Sequence, residues 1–222
     1  MNVFKIVRNL IYNILRLIKV SAGSDIVYWD DLVGKISRNC KIDKQAVVLK
    51  THTLNHVIIG KGTYIADEAM ITNTTIGKFC SIGPNLKCGW GIHPLNGIST
   101  SPIFYSVKTQ LGFSFSEVDK FEEHKQIFIG NDVFIGRSVT ILDGITIGDG
   151  AVIGAGSVVS KNIPPYAIAV GSPIQIIKYR FSPEIIEALL SIKWWDRDDK
   201  VLKEVEKDFF EVEKFIEFMK EN

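Results

Sequence analysis

The sequence predicts an all-β fold: a parallel β-helix wound as a triangular prism, interrupted by a protruding loop, with one helix before it and α-helices after it. Three observations carry that expectation. Ile129, Ile135, Ile141, Ile147, Ile153 and Val159 stand six residues apart, and Gly130, Gly136, Gly148 and Gly154 directly follow four of them. A second row, Ile127, Val133, Val139, Ile145, Ala151 and Ser157, runs two residues earlier and becomes small toward its end. The same interval continues upstream with single-residue slips, through Ile36, Ile42, Val48 and Leu54, then Ile59, Ile65 and Ile71, then Ile76, Ile82 and Cys88.

A period of six matches neither the turn of an α-helix nor the alternation of a lone strand. It matches a coil of three sides, in which the aliphatic residue points inward and the Gly or small polar residue after it allows the corner. Asn131, Asp132, Asp143 and Asp149 are the turn formers that corners need. About sixteen such hexads make roughly five stacked coils, spanning residues 30–178.

Residues 1–24 read as an amphipathic helix. Phe4, Val7, Ile11, Ile14 and Ile18 recur at helical spacing, Lys5, Arg8, Arg16 and Lys19 break the apolar run, and no acid precedes Asp25. The charges disfavour a signal peptide. Two roles stay open: packing on the domain or a partner subunit, or a basic interfacial helix resting peripherally on anionic lipid.

Between Cys88 and Ile127 the repeat stops, and the inserted loop 89–126 carries Trp90, His93, Pro94, Phe104 and Tyr105. A long aromatic loop inside a compact domain points to function. After Val159, Pro164 and Pro165 close the last coil, and Gly171 with Pro173 makes a further turn. C-terminal helices fill 182–222. Ser182 caps the first, with Pro183 at its first position, and a second is expected from about Asp198 to Lys220.

Composition narrows the function classes. The net charge of +1 offers no surface for nucleic acid. Three unpaired-looking cysteines, Cys40, Cys80 and Cys88, argue against a disulfide framework or zinc site and suit a reducing cytoplasm. No run of about 18 apolar residues predicts a membrane span. His52 and His56 lie on a coil, where a spacing of four has no metal-binding meaning, and a solvated face is expected for both. No metal is expected.

The repeat, the loop WGIHPLNGISTSPIFYS, the segment VIGAGSVVSKNIPPYAIAVGSPIQIIKYRF and the helix end IKWWD together resemble the hexapeptide-repeat acyltransferases. Within them the sequence is similar to the xenobiotic acetyltransferase branch (chloramphenicol and streptogramin acetyltransferases) and to O-acetyltransferases of surface-polysaccharide sugars. The resemblance covers roughly Ile59 to Asp196. It implies a left-handed prism, a homotrimer with active sites between subunits, and acetyl-CoA as co-substrate.

The family's catalytic histidine falls on the His-Pro at His93. The chemistry agrees, because a hydroxyl needs a base to attack a thioester near neutral pH and a neutral imidazole supplies one. Its orienting partner should be a carboxylate or a carbonyl. Trp90, Phe104 and Tyr105 offer faces for an acceptor, and Asn96, Ser99, Thr100 and Ser101 offer hydrogen bonds. Many relatives carry Asp at Asn96 and His at Ser101, and those departures favour a sugar hydroxyl over an antibiotic. For coenzyme A, the small run 154–157 lets a pantetheine arm approach. The resemblance places contacts at Gly136, Arg137, Ala155, Ser160 and Lys161, with Lys178 meeting a phosphate and Gln175 standing where another basic residue is usual. An amino-sugar N-acetyltransferase and a non-catalytic or metal-binding scaffold are the alternatives.

Overall fold

The computed structural model describes residues 35–108 and 112–221, so the helix expected over 1–24 lies outside the described residues. The strands are β1 (Lys35–Arg38), β2 (Lys41–Ile42), β3 (Val47–Val48), β4 (His52–Ile59), β5 (Tyr64–Ile65), β6 (Met70–Ile76), β7 (Ser81–Ile82) and β8 (Lys87–Cys88), then β9 (Ile127–Ile129), β10 (Phe134–Ile135), β11 (Thr140–Ile141), β12 (Thr146–Ile147), β13 (Val152–Ile153), β14 (Val158–Val159), β15 (Ala167–Val170) and β16 (Gln175–Tyr179).

They stack as a parallel solenoid with three sides. One side runs β1-β4-β6-β8-β11-β14 and a second runs β3-β5-β7-β10-β13-β15. The third comprises β2, the second halves of β4 and β6, then β9 and β12, with Ile163 bridging Ile147. Met70 pairs with Lys87 one coil later, and Thr140 with Val158, so a coil takes 17 or 18 residues. β4 and β6 each round a corner, at His56 (φ 54°) and Asn73 (φ 47°).

The hexad rows form the core. Ile65, Ile71, Ile82, Ile135, Ile141, Ile147, Ile153 and Val159 are buried, and so are the second-row residues Val133, Val139, Ala151 and Ser157. The small members have a purpose at the end of the prism. Ser157 Oγ donates to the Gly154 carbonyl at 2.7 Å and accepts the Gly171 N–H at 2.9 Å, which fixes the last corner. Ile36 and Ile42 depart from the expectation: they are 43% and 39% exposed, because no described coil stacks beneath the first one.

The solenoid ends on a feature the period did not announce. β16 turns back and pairs antiparallel with β15, aligning Lys178 with Ile168. Arg180 pins this hairpin to the prism by donating to Asp132 at 2.9 Å and to the Gly150 carbonyl at 2.8 Å, with its guanidinium over Tyr166 and Phe181.

Three helices follow: α1 (Pro183–Ile192), α2 (Asp199–Lys207) and α3 (Val212–Glu221). Ser182 caps α1 as expected, its side chain accepting from the Ile185 N–H. The single helix expected over 198–220 is two. Asp208 leaves helical geometry, is buried and pairs with Lys214. The chain reverses there, so Phe215 and Ile216 fold back onto Leu189 and Tyr166. An unbroken helix would carry them away from the prism, leaving that apolar surface in water. No helix among the described residues is long and apolar enough to cross a membrane.

Candidate active site

The inserted loop leaves the ladder after β8 and returns at β9. β8 therefore pairs with β11 across a gap of 53 residues (Lys87 with Thr140), while β6 pairs directly with β9. One carboxylate closes its base. Asp143, at the corner after β11, accepts the Gly91 N–H at 3.0 Å through Oδ2 and the Lys125 N–H at 3.1 Å through Oδ1. Its side chain is only 2% exposed, and His124 Nδ1 lies 3.9 Å from it. Next to the clamp, the Ile92 N–H donates to the Glu123 carbonyl at 2.8 Å. Gly91 sits at φ 91°, and a Cβ there would meet the His124 ring at 3.0 Å, so the start of the loop requires glycine here.

Two residues beyond that clamp stands His93, exposed at its edge and followed by the buried Pro94. Nδ1 lies 2.9 Å from the Thr100 carbonyl oxygen. A carbonyl can only accept, so Nδ1 carries a proton, and in the neutral ring Nε2 is the nitrogen with the lone pair. The orienting partner left open by the sequence is thus a backbone carbonyl. The Tyr105 hydroxyl lies 2.7 Å from the same Nδ1.

Beside His93 opens a groove of about 760 Å³, lined by Pro94, Asn96, Ile98, Phe104, Tyr105 and Phe121 among others, with Lys120 at its wall. Of the four residues expected to meet an acceptor, Asn96, Phe104 and Tyr105 line this groove. Trp90 does not; it is 62% exposed. Phe104 stacks on Phe115 with ring centroids 5.6 Å apart. Tyr105 is 5% exposed and meets Phe121 edge-on at 5.8 Å. Burial, and secondarily the Glu123 carboxylate, raise its hydroxyl above the ordinary tyrosine value.

The residues expected to hold coenzyme A fall into separate groups within one chain. Gly136, Arg137 and Ala155 share the edge that follows β10 and β13. A Cβ on Gly136 would lie 2.6 Å from the Ala155 nitrogen, and the Gly156 N–H donates to the Arg137 carbonyl at 2.8 Å. Ser160 and Lys161 stand at the next edge, after β14, and Lys178 lies exposed on β16.

One other expectation changes. His52 is not on a solvated face: it is buried, donates Nδ1–H to the Leu49 carbonyl at 2.9 Å, and has Ser37 Oγ 3.3 Å from Nε2. His56 is exposed and accepts from Asn39 at 3.2 Å. All three cysteines are free. No cluster of three metal-ligating side chains occurs among the described residues. The sequence did not single out Asp143 as the loop clamp, because its only local signal is that of a corner residue before glycine.

A parallel solenoid of hexads, with an imidazole held by a carbonyl beside an aromatic groove, defines a class, and comparison with known proteins narrows it. The bacterial transferase hexapeptide (six repeats) family model matches residues 127–161. A chloramphenicol acetyltransferase of Klebsiella aerogenes is 41% identical over 133 residues, covering 59% of this chain and 62% of that protein. A probable macrolide acetyltransferase of Lysinibacillus sphaericus is 42% identical over 127 residues, 54% of this chain and 68% of that protein. Among solved structures, a maltose O-acetyltransferase from Clostridium difficile 630 superposes with a TM-score of 0.51 at 29% identity, over 65% of this chain and 71% of that one. The chain spans about three fifths of the length of the first of these relatives. It belongs to the hexapeptide-repeat transferase family.

Proposed function

We propose that this protein is an acetyl-CoA-dependent O-acetyltransferase that acts on a hydroxyl of a sugar or surface-polysaccharide precursor, with His93 as general base. One observation carries this: the Thr100 carbonyl commits the Nδ1 proton, which leaves the other ring nitrogen free to act as a base, and the residues around His93, Pro94 and Tyr105 among them, line a groove of acceptor size. Nε2 takes the hydroxyl proton as the oxygen attacks the thioester carbonyl. The thiolate of coenzyme A leaves and recovers that proton from the imidazolium. No enzyme nucleophile is needed, and burial keeps Cys80 and Cys88 as thiols.

Gly136, Arg137 and Ala155 would follow the pantetheine arm, and Ser160, Lys161 and Lys178 the phosphate end. Because these groups stand on different edges of one chain, the placement fits a homotrimer of left-handed prisms in which His93 faces the coenzyme groove of its neighbour. The protein is taken as cytoplasmic, with peripheral membrane contact reserved for residues 1–24.

A second acceptor class is favoured by the relatives, whose names are those of chloramphenicol and macrolide acetyltransferases. Thiol release from acetyl-CoA, measured with maltose, other sugars, chloramphenicol and a macrolide, decides between them. Turnover of chloramphenicol or the macrolide alone would replace the sugar acceptor. His93→Ala is expected to lower kcat by about 10²–10⁴-fold. Full activity of that variant on the true acceptor would overturn the mechanism.

A further inference from the structure

The nitrogen of His93 that the mechanism leaves in the background has one more partner than a neutral imidazole requires. Nδ1 faces two oxygens, the Thr100 carbonyl at 2.9 Å and the Tyr105 hydroxyl at 2.7 Å. A neutral ring has one N–H to distribute between its two nitrogens. If the tyrosine O–H donated to a bare Nδ1, the ring proton would sit on Nε2. The histidine could then not act as a base through Nε2, and the Thr100 carbonyl would oppose a lone pair at 2.9 Å. Both oxygens are satisfied together only when Nδ1 carries the proton and the tyrosine oxygen accepts.

We propose that Tyr105 is a positioning residue for His93. Its hydroxyl oxygen shares the Nδ1 proton with the Thr100 carbonyl, holding the ring in the tautomer that bares Nε2 and placing a second oxygen against the imidazolium formed when Nε2 takes the acceptor's proton. This rests on the assignment of His93 as base.

The surroundings of Tyr105 suit a fixed part. Its ring is almost fully buried, edge-on to Phe121 at 5.8 Å and nearly perpendicular to His93 at 6.3 Å. The main chain is tied on both sides: the Tyr105 N–H donates to the Pro102 carbonyl at 3.1 Å, and the Tyr105 carbonyl accepts the Lys120 N–H at 2.8 Å. The hydroxyl therefore keeps its place while an acceptor comes and goes. Because burial and Glu123 raise its pKa, it remains a neutral phenol throughout the range in which imidazoles titrate. The oxygen is consequently a dipolar acceptor, and no phenolate is involved. Tyr105 is thereby distinguished from Phe104, whose exposed ring on the same groove has no polar tie to His93.

Tyr105→Phe keeps the ring and its contact with Phe121 and removes only the oxygen. Nitrogen-15 NMR of the His93 ring reads the tautomer directly, and steady-state kinetics with acetyl-CoA and the best acceptor separate kcat from KM. In the native protein the neutral ring is expected to carry its proton on Nδ1. In Tyr105→Phe, Nε2–H signal should appear and kcat should fall about tenfold, as for loss of one hydrogen bond to a charged group, with the KM for acetyl-CoA unchanged. A native ring protonated on Nε2 would overturn the proposal. So would a Tyr105→Phe variant with native tautomer and native kcat. Should that variant fail to fold, the native spectrum alone still decides the direction of the hydrogen bond. Full activity of His93→Ala, by contrast, would remove the base and leave the tautomer assignment standing.

Discussion

Asp143 and Gly91 lie 52 residues apart in sequence and are joined at 3.0 Å by a backbone N–H to carboxylate hydrogen bond. Through its other oxygen the same carboxylate holds the Lys125 N–H, so one nearly buried side chain on a prism corner ties together both ends of the loop that carries His93. The prism supplies the rigid reference and the clamp transmits it to the imidazole.

Asp143→Ala should therefore impair the loop more than the fold. Hydrogen bonds to a charged group contribute about 1.5–3 kcal/mol each, and losing both leaves two loop N–H groups to find other partners. With His93 as the proposed base, the expected result is a fall in kcat of at least about tenfold, since small misplacements of a reacting group are costly. The thermal midpoint should drop only modestly, because none of the inward hexad residues is altered. Asp143→Asn keeps one acceptor and should lie between. Equal losses of activity and of midpoint across the series would show that Asp143 holds up the prism rather than the loop.

The solenoid was legible because each of its inward residues repeats the same local environment. Ile135 and Ile153 stand three hexads apart in the pattern, one full coil, and are partners in the ladder, so a count along the sequence predicts a contact in space. The loop has no such period. The link from Tyr105 to His93 and that from Asp143 to Gly91 depend on how an aperiodic chain closes, and neither residue type identifies its partner in advance. The expected continuous helix over 198–220 failed for a related reason. Its apolar residues keep helical spacing across Asp208, and only the buried pairing of that carboxylate with Lys214 marks the reversal. His52 was misplaced because outward positions on a coil are usually solvated, whereas here the Leu49 carbonyl captures the ring.

Close stacking of the coils gives a stability prediction. A Cβ on Gly77 would lie 2.5 Å from the Gly130 carbonyl oxygen, backbone against backbone, with no flexible atom able to yield. Gly77→Ala should cost about 1–3 kcal/mol, the usual range for overpacking. Gly156 provides the control. A Cβ there meets nothing within 4 Å, and only its φ of 71° resists substitution. Gly156→Ala should cost about 1–2 kcal/mol, the strain of a left-handed residue. Denaturant unfolding should rank Gly77→Ala as the more damaging, and the reverse order would mean that the coils separate more easily than their spacing implies.

The two core cysteines make a further, pH-dependent prediction. Burial pushes the thiols of Cys80 and Cys88 from 9.0 up to about 12, with nearby hydrogen bonds opposing the shift only in part. The folded state thus binds these protons more tightly than the unfolded chain. Their contribution is fully present below pH 9 and is lost as the pH rises toward 12, at about 1.4 kcal/mol per pH unit for each thiol. Unfolding free energies measured across that interval should fall with a slope that Cys80→Ala reduces, whatever the variant's starting stability. At neutral pH an aromatic disulfide reagent should modify Cys40, which is partly exposed, and reach Cys80 and Cys88 only after denaturation.

Mixed oligomers test whether the active site is shared. In one chain the edge bearing Gly136, Arg137 and Ala155 is distinct from the edge bearing Ser160 and Lys161, and His93 belongs to the loop clamped at Asp143. If His93 serves the groove of a neighbouring copy, two differently inactivated chains can restore each other. His93→Ala removes the proposed base but keeps the groove. Ala155→Trp places a large ring at an exposed position on the proposed pantetheine path and keeps the base. Each preparation alone should be nearly inactive. After the two are unfolded together and refolded in equal amounts, each site draws its histidine and its groove independently, so about a quarter of the sites combine an intact histidine with an intact groove. Recovery of roughly that fraction of native activity is the expected result. If each chain works with its own histidine and groove, both kinds of chain stay defective however they assemble, and mixing restores nothing.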